Sequence, residues 1–130
     1  MPRQVFRYRT IGSRLAPILT VGIRLAEEWL PVDIYVDSGA AYTLLHARIA
    51  QAVGFEFQAG KLEYLRAGDG GLIRAYVHQL ELQIGRERVT TAVGISPNLG
   101  VPFNLLGRDG VFSTFDVCFH ELAGTFSFET

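Results

Sequence analysis

Apolar and polar residues alternate along much of this 130-residue chain, and the alternation predicts many short β-strands. The clearest case is the run 80–84, where Leu80, Leu82 and Ile84 are separated by Glu81 and Gln83. Such a period of two is typical of a strand with one buried face. The same pattern predicts strands at residues 5–10, 18–25, 29–36, 42–45, 62–65, 72–84, 88–95, 115–120 and 125–128.

Helical patterns are few in comparison. Residues 46–53 predict one short helix, because Gly54 follows at the position where glycine often ends a helix. Residues 108–114 predict a second short helix, and residues 55–59 have an ambiguous pattern that we interpret as extended. Because strands far outnumber helices, the predicted fold class is all-β: a closed β-barrel-like domain over residues 1–130, with one or two short helices.

Composition excludes several classes of function. Twelve basic and 13 acidic residues leave a net charge of −1, which argues against nucleic-acid and membrane-surface partners. Cys118 is the single cysteine, and no Cys/His grouping resembles a zinc site, so we expect no metal or other cofactor. No apolar run approaches the ~20 residues that span a bilayer, and the N-terminus lacks a signal-peptide core. We therefore expect a cytoplasmic protein, or a soluble domain excised from a longer chain.

The candidate chemistry begins where a predicted strand ends in a carboxylate. Val36 closes an apolar strand, and Asp37, Ser38 and Gly39 follow it directly. Gly39 permits backbone angles that other residues resist, and the Ser38 hydroxyl can form a hydrogen bond within the turn. Taken alone, this stretch predicts only a strand followed by an Asx-type turn.

Two further stretches change that interpretation. Residues 68–75 form a glycine cluster between strand-like segments, which predicts a hairpin tip. In residues 101–109, two apolar residues lead into Gly107 and Arg108. In this order and spacing the three stretches resemble the retropepsin-like aspartic proteases, in which Asp-Thr/Ser-Gly-Ala follows an apolar strand, a glycine-rich flap comes next, and an apolar-apolar-Gly-Arg motif lies near the end. The resemblance extends from about residue 19 to residue 119.

The resemblance implies one half of an acid protease and a homodimeric aspartic endopeptidase. The chain has a single Asp-Ser-Gly motif, so a two-fold axis would supply the second catalytic carboxylate as Asp37 of another copy. The two carboxylates would share a proton around the attacking water. Ser38 would hydrogen-bond to the partner loop, and Gly39 would offer its carbonyl group to the substrate. The implied partners are a second copy and a peptide or protein substrate, without nucleic acid or direct membrane contact.

The resemblance also assigns substrate contacts. Ala40 would lie beside the catalytic Asp37 and place no hydroxyl group next to it. Phe103 and Leu105 would line the central subsites and favour apolar side chains around the scissile bond. Gly107 and Arg108 would support the site structurally. The full set of implied substrate-binding residues is Ala40, Gly68, Asp69, Gly70, Gly71, Leu72, Ile73, Phe103 and Leu105.

The chain departs from the family pattern at two positions. Asp69 stands at the flap tip, where the family often has an apolar residue, and Ala41 stands where an aspartate usually pairs with the motif arginine, here Arg108. Two alternatives therefore stay open: a retropepsin-like dimerisation or peptide-binding domain with little or no proteolytic activity, and an unrelated small β-barrel. The chain ends read as strands with unpaired edges, so we expect Phe126 and Phe128 to need an apolar partner in the dimer interface.

Overall fold

The computed structural model describes residues 2–66 and 70–130 of the chain. Strands dominate, as the alternation predicts. They are β1 (Arg3–Arg7), β2 (Arg9–Ile11), β3 (Arg14–Ala16), β4 (Ile18–Leu25), β5 (Glu28–Val36), β6 (Thr43–His46), β7 (Lys61–Arg66), β8 (Leu72–Ile84), β9 (Glu87–Ser96), β10 (Asn104–Leu106), β11 (Asp116–His120) and β12 (Thr125–Glu129). One short helix, α1 (Ala47–Ala52), and a 3-10 turn at Phe57–Ala59 lie between β6 and β7.

Six of these strands close into a barrel in the order β4-β5-β10-β6-β9-β8. The barrel closes where β8 pairs with β4, at Gly22 opposite Gln83 and Ile23 opposite Leu82. β10 lies between β5 and β6, which follow each other in the chain. It runs parallel to β5 and antiparallel to β6. The predicted all-β class with a closed barrel is therefore confirmed.

The alternating burial of residues along β5 determines where Asp37 lies relative to the barrel. Val32, Ile34 and Val36 are buried, whereas Asp33 is exposed and Tyr35 is half-buried. Fully burying one aliphatic side chain of this size stabilises a fold by roughly 1.5–3 kcal/mol. The buried face fixes the register of β5 in the barrel, because a slip of one residue would expose it. Asp37 consequently lies at the barrel end, one residue beyond the last buried position.

The chain ends form a separate three-stranded sheet in the order β1-β12-β11. Its central strand carries Phe126 and Phe128, which are 0% and 1% exposed. Phe6 of β1 stacks on Phe126 with ring centroids 5.5 Å apart. The expectation that these two phenylalanines need a partner chain is therefore wrong, because both edges of β12 are paired and both rings are covered within one copy.

The glycine-rich hairpin is present as a ribbon of β7 and β8, paired from Lys61 opposite Val77 to Arg66 opposite Leu72. The predicted tip residues 68 and 69 lie outside the described residues. A second difference concerns the helix predicted at residues 108–114. Only one irregular turn forms there, at Arg108–Phe112, because Asp109 and Gly110 have non-helical backbone angles.

Candidate active site

Asp37 lies at the point where the chain leaves the barrel. Its backbone N–H donates to the carbonyl oxygen of Leu106 at 3.0 Å, which extends the pairing of β5 and β10 by one residue. The chain then turns back, and the Ala40 N–H donates to the Asp37 carbonyl oxygen at 3.2 Å. Inside this turn the Gly39 N–H donates to carboxylate oxygen Oδ1 of Asp37 at 2.8 Å. One carboxylate oxygen is thereby held in place by the local turn.

The Asp37 loop is fastened to the end of β10 by backbone hydrogen bonds. The Arg108 N–H donates to Ala40 O at 2.9 Å, and the Asp109 N–H donates to Ala41 O at 2.8 Å. Directly before them in the chain, the buried Gly107 N–H donates to Oγ1 of Thr43 at 3.1 Å. These bonds tie the segment between β5 and β6 to the end of β10, and this attachment fixes the backbone that carries Asp37.

Asp37 and Ser38 line a cleft of about 510 Å³. Asp37 is half-buried and Ser38 is exposed. Phe103 also lines this cleft, and its ring stacks on Tyr35 with centroids 4.9 Å apart. The structure therefore brings together three of the predicted site residues, and it adds Tyr35 as part of an apolar wall. Tyr35 follows the buried Ile34 on β5, and the predicted alternation left it without a role.

Other walls of the cleft come from parts of the chain that the motifs do not contain. Tyr8, Arg14, Phe119 and Glu121 all line it. Arg14 belongs to the β2–β3 hairpin, and Glu121 belongs to the turn between β11 and β12. No local pattern marks these residues as functional, because the fold alone brings both segments to the cleft.

Tyr8 and Glu121 form a direct polar contact in the cleft. The Tyr8 hydroxyl donates to Oε1 of Glu121 at 2.8 Å. Burial of the phenol, and then the hydrogen bond and charge of Glu121, raise the pKa of Tyr8 to about 12. The phenol therefore stays protonated and remains a hydrogen-bond donor at any ordinary pH. Within residues 2–66 and 70–130, neither Arg14 nor Glu121 takes part in an ion pair.

The remaining predicted substrate contacts lie in different surroundings. Ile73 is 8% exposed and belongs to an apolar cluster with Leu44 and Leu99, against which Leu105 packs. Leu72 is 66% exposed, on the opposite face of the ribbon. Ala40 is half-buried, Gly70 and Gly71 are exposed, and Gly68 and Asp69 lie outside the described residues.

Arg108 is exposed and holds the Asp37 loop through its backbone rather than its side chain. Among the residues that the structure describes, its guanidinium group makes no ion pair, and Asp109 does not replace the acid missing at Ala41. The predicted structural role of Gly107 is better supported. An added methyl group at Gly107 would overlap the Tyr42 carbonyl and come within 2.9 Å of Ala40 O.

Buried Asn104, which sequence reasoning missed, connects the strands beneath Phe103. Its Oδ1 accepts from the His46 N–H at 2.9 Å, and its Nδ2 donates to Asp33 O at 3.0 Å. The available signal in the sequence was a polar residue between the apolar Phe103 and Leu105. The His46 ring lies nearby, and burial is the first cause that lowers its pKa, followed by the charge of Arg48.

The described part of the chain contains no cluster of three or more His, Cys, Asp or Glu side chains that could hold a metal ion. None of its helices is long and apolar enough to cross a membrane.

The fold is similar to that of solved proteases, whereas no protein-family model and no curated protein sequence matches the chain. One similar structure is a retropepsin-like aspartic protease from Rickettsia conorii, with a TM-score of 0.66 and 17% sequence identity, covering 98% of this chain and 90% of that chain. Another is the EIAV protease complexed with the inhibitor HBY-793, with a TM-score of 0.52 and 19% identity, covering 77% of this chain and 88% of that chain. The chain therefore has a retropepsin-like fold.

Proposed function

We propose that this chain, which has a retropepsin-like fold, is a homodimeric aspartic endopeptidase with its domain over residues 1–130. The observation that carries the proposal is the position of Asp37. Its half-buried carboxylate lies at the end of a barrel strand, is oriented by the Gly39 N–H, and opens on a cleft of about 510 Å³. Both similar structures are named as proteases, which supports the same chemistry here.

The proposed reaction uses two copies of Asp37 across a two-fold axis. Two adjacent carboxylates share one proton, because two neighbouring anions repel each other. The ionised carboxylate removes a proton from water while the protonated one donates to the carbonyl oxygen of the peptide. The water oxygen bonds to the carbonyl carbon and forms a gem-diol. The carboxyl group that took the proton from water then passes it to the amide nitrogen, a gem-diol hydroxyl returns its proton to the other carboxylate, and the C–N bond breaks. Exposed Ser38 would hydrogen-bond to the partner loop, and the Gly39 carbonyl group would bind the peptide backbone.

The substrate would be a peptide with apolar side chains near the scissile bond. The stacked rings of Phe103 and Tyr35 form an apolar wall in the same cleft as Asp37. The glycine-rich segment at residues 68–71 would act as a flap that closes over the peptide and excludes water. Leu72 and Ile73 would then contact the substrate from the flap, and Leu105 would line the central subsites with Phe103.

A cleavage assay with a matched inactive variant tests this proposal. Wild type and Asp37→Asn would each be incubated with a mixed peptide library across a pH series, and the solution mass of both would be measured. We expect a wild-type dimer that cleaves peptides and an Asp37→Asn dimer of equal stability that does not, because Asn is nearly isosteric but cannot share the proton. Undiminished cleavage by Asp37→Asn would contradict the proposal.

The same assay separates a second candidate, a dimerisation or peptide-binding domain with little or no proteolysis. The missing ion pair of Arg108 favours this candidate. Among the described residues the Arg108 guanidinium group has no acidic partner, because Ala41 stands where the family has an aspartate. A wild-type dimer that binds peptides without cleaving them would support this candidate.

A further inference from the structure

The cleft that holds Asp37 contains a second carboxylate, that of Glu121. Tyr8 connects to the turn that carries Glu121 by two hydrogen bonds. Its backbone N–H donates to Gly124 O at 2.8 Å, and its hydroxyl donates to Oε1 of Glu121 at 2.8 Å. Tyr8 itself is buried, with 8% of its surface exposed. Both the turn and the carboxylate are therefore oriented before any ligand arrives.

The Glu121 carboxylate keeps the capacity to bind a cation. An ionised carboxylate offers about four lone-pair sites, and the Tyr8 hydroxyl takes one of them. Within the described ranges 2–66 and 70–130, Glu121 makes no ion pair, and Arg14, which lines the same cleft, is not paired with it. A fixed carboxylate with open acceptor sites is suited to an ammonium or guanidinium group.

We propose that Glu121 is a specificity-determining residue that binds a lysine or arginine side chain of the peptide in the Asp37 cleft, with Tyr8 as its positioning residue. This inference rests on the proposed function. Because the proposed two-fold dimer presents the cleft twice, basic residues are favoured on both sides of the scissile bond, outside the apolar residues next to Phe103. The preferred substrate is then apolar at its centre and basic on each flank.

The expected preference is modest because Glu121 is an exposed residue. Exposed ion pairs contribute little free energy, so one lysine should raise kcat/KM about fivefold over glutamine. Lysines on both flanks should act independently, because each contacts a different copy of the chain. Added salt should reduce the preference, since salt screens exposed charges.

The test uses peptides with a constant apolar centre and lysine, glutamine or glutamate at each flanking position. The enzymes are wild type, Glu121→Gln, Glu121→Lys, Tyr8→Phe and a control, Glu56→Gln, which removes an exposed carboxylate from the loop before the 3-10 turn. We expect the lysine-to-glutamine ratio of kcat/KM to be about five in wild type and Glu56→Gln. The ratio should fall to about one in Glu121→Gln, fall partly in Tyr8→Phe, and reverse in favour of glutamate in Glu121→Lys.

Binding of the same peptides to Asp37→Asn, measured by fluorescence anisotropy, distinguishes the two hypotheses. Cleavage by wild type with equal rates for lysine and glutamate peptides would overturn the Glu121 inference and leave the protease proposal intact. A glutamate preference in wild type would also overturn the inference and assign the contact to Arg14. A third outcome is lysine-selective binding to Asp37→Asn that is lost when Glu121→Gln is added, together with no cleavage by wild type. This outcome would support the inference and contradict the protease proposal.

Discussion

Gly107 packs so closely beneath Tyr42 that the space between them has no room for a methyl group. The contact arises because the loop that begins at Asp37 crosses the end of β10 and accepts backbone hydrogen bonds from Arg108 and Asp109. Gly107 has extended backbone angles, φ −97° and ψ −174°, which any residue can adopt. Its requirement for glycine is therefore one of space, and it depends directly on the position of the Asp37 loop.

The first prediction tests this dependence with Gly107→Ala. The added methyl group would push against the Tyr42 and Ala40 carbonyl groups, and inserting an extra carbon into a packed site typically costs about 1–3 kcal/mol. We expect a lower free energy of unfolding, measured by urea denaturation, and a loss of peptide cleavage larger than the loss of folded protein.

Gly54→Ala provides the matched control. Gly54 has a φ of +69° but no atom within 4 Å of an added methyl group, so its substitution carries only the backbone cost, about 1 kcal/mol. If both variants lost stability and activity equally, the close packing of Gly107 under the Asp37 loop would have no special role.

The second prediction concerns Thr43, whose hydroxyl accepts the hydrogen bond from the Gly107 N–H at 3.1 Å. Thr43 is fully buried, so Thr43→Val would leave that N–H without a partner in a dry site. An unsatisfied buried donor costs about 1–3 kcal/mol. We expect Thr43→Val to lower the free energy of unfolding by about this amount, whereas Thr43→Ser keeps the hydroxyl and should lose less. A loss of stability in Thr43→Ser without any loss in Thr43→Val would show that the methyl packing, and not the hydrogen bond, holds the loop.

The third prediction concerns pH and His46. Burial lowers the pKa of His46 below its ordinary value of 6.5, and Nε2 of its ring is buried without a hydrogen-bond partner among the described residues. The unfolded chain therefore binds a proton more readily than the folded one as the pH falls below about 6.5. The free energy of unfolding should be unaffected above that value, and it should decrease as the pH falls through the folded-state pKa of His46.

Denaturation of wild type and His46→Gln between pH 7.5 and pH 5 would measure this effect. The wild-type curve should fall more steeply with acid than the His46→Gln curve. His120→Gln, which removes an exposed histidine on β11, should retain the wild-type slope. A His46→Gln curve parallel to that of wild type would show that His46 does not contribute to the pH dependence.

The sequence alone determined the features that depend on local spacing. Alternation along the chain predicted the strands from β4 to β9 to within about two residues at each end, because burial of one face has a period of two. It also placed Asp37 at a strand end with Gly39 in the following turn. The resemblance implied a structural role for Gly107, but the lack of space beneath the Tyr42 carbonyl became visible only in the structure.

Only the tertiary structure decided what covers each buried face. Phe126 and Phe128 had to be buried, but alternation does not specify whether β1 of the same chain or another copy covers them. In the same way, the resemblance implied that Ile73 contacts the substrate, and only the tertiary structure shows that it packs in an apolar cluster with Leu44. The Tyr8–Glu121 contact joins residues 113 positions apart, so it follows from the pairing of β1 with β12 and from no pattern along the chain.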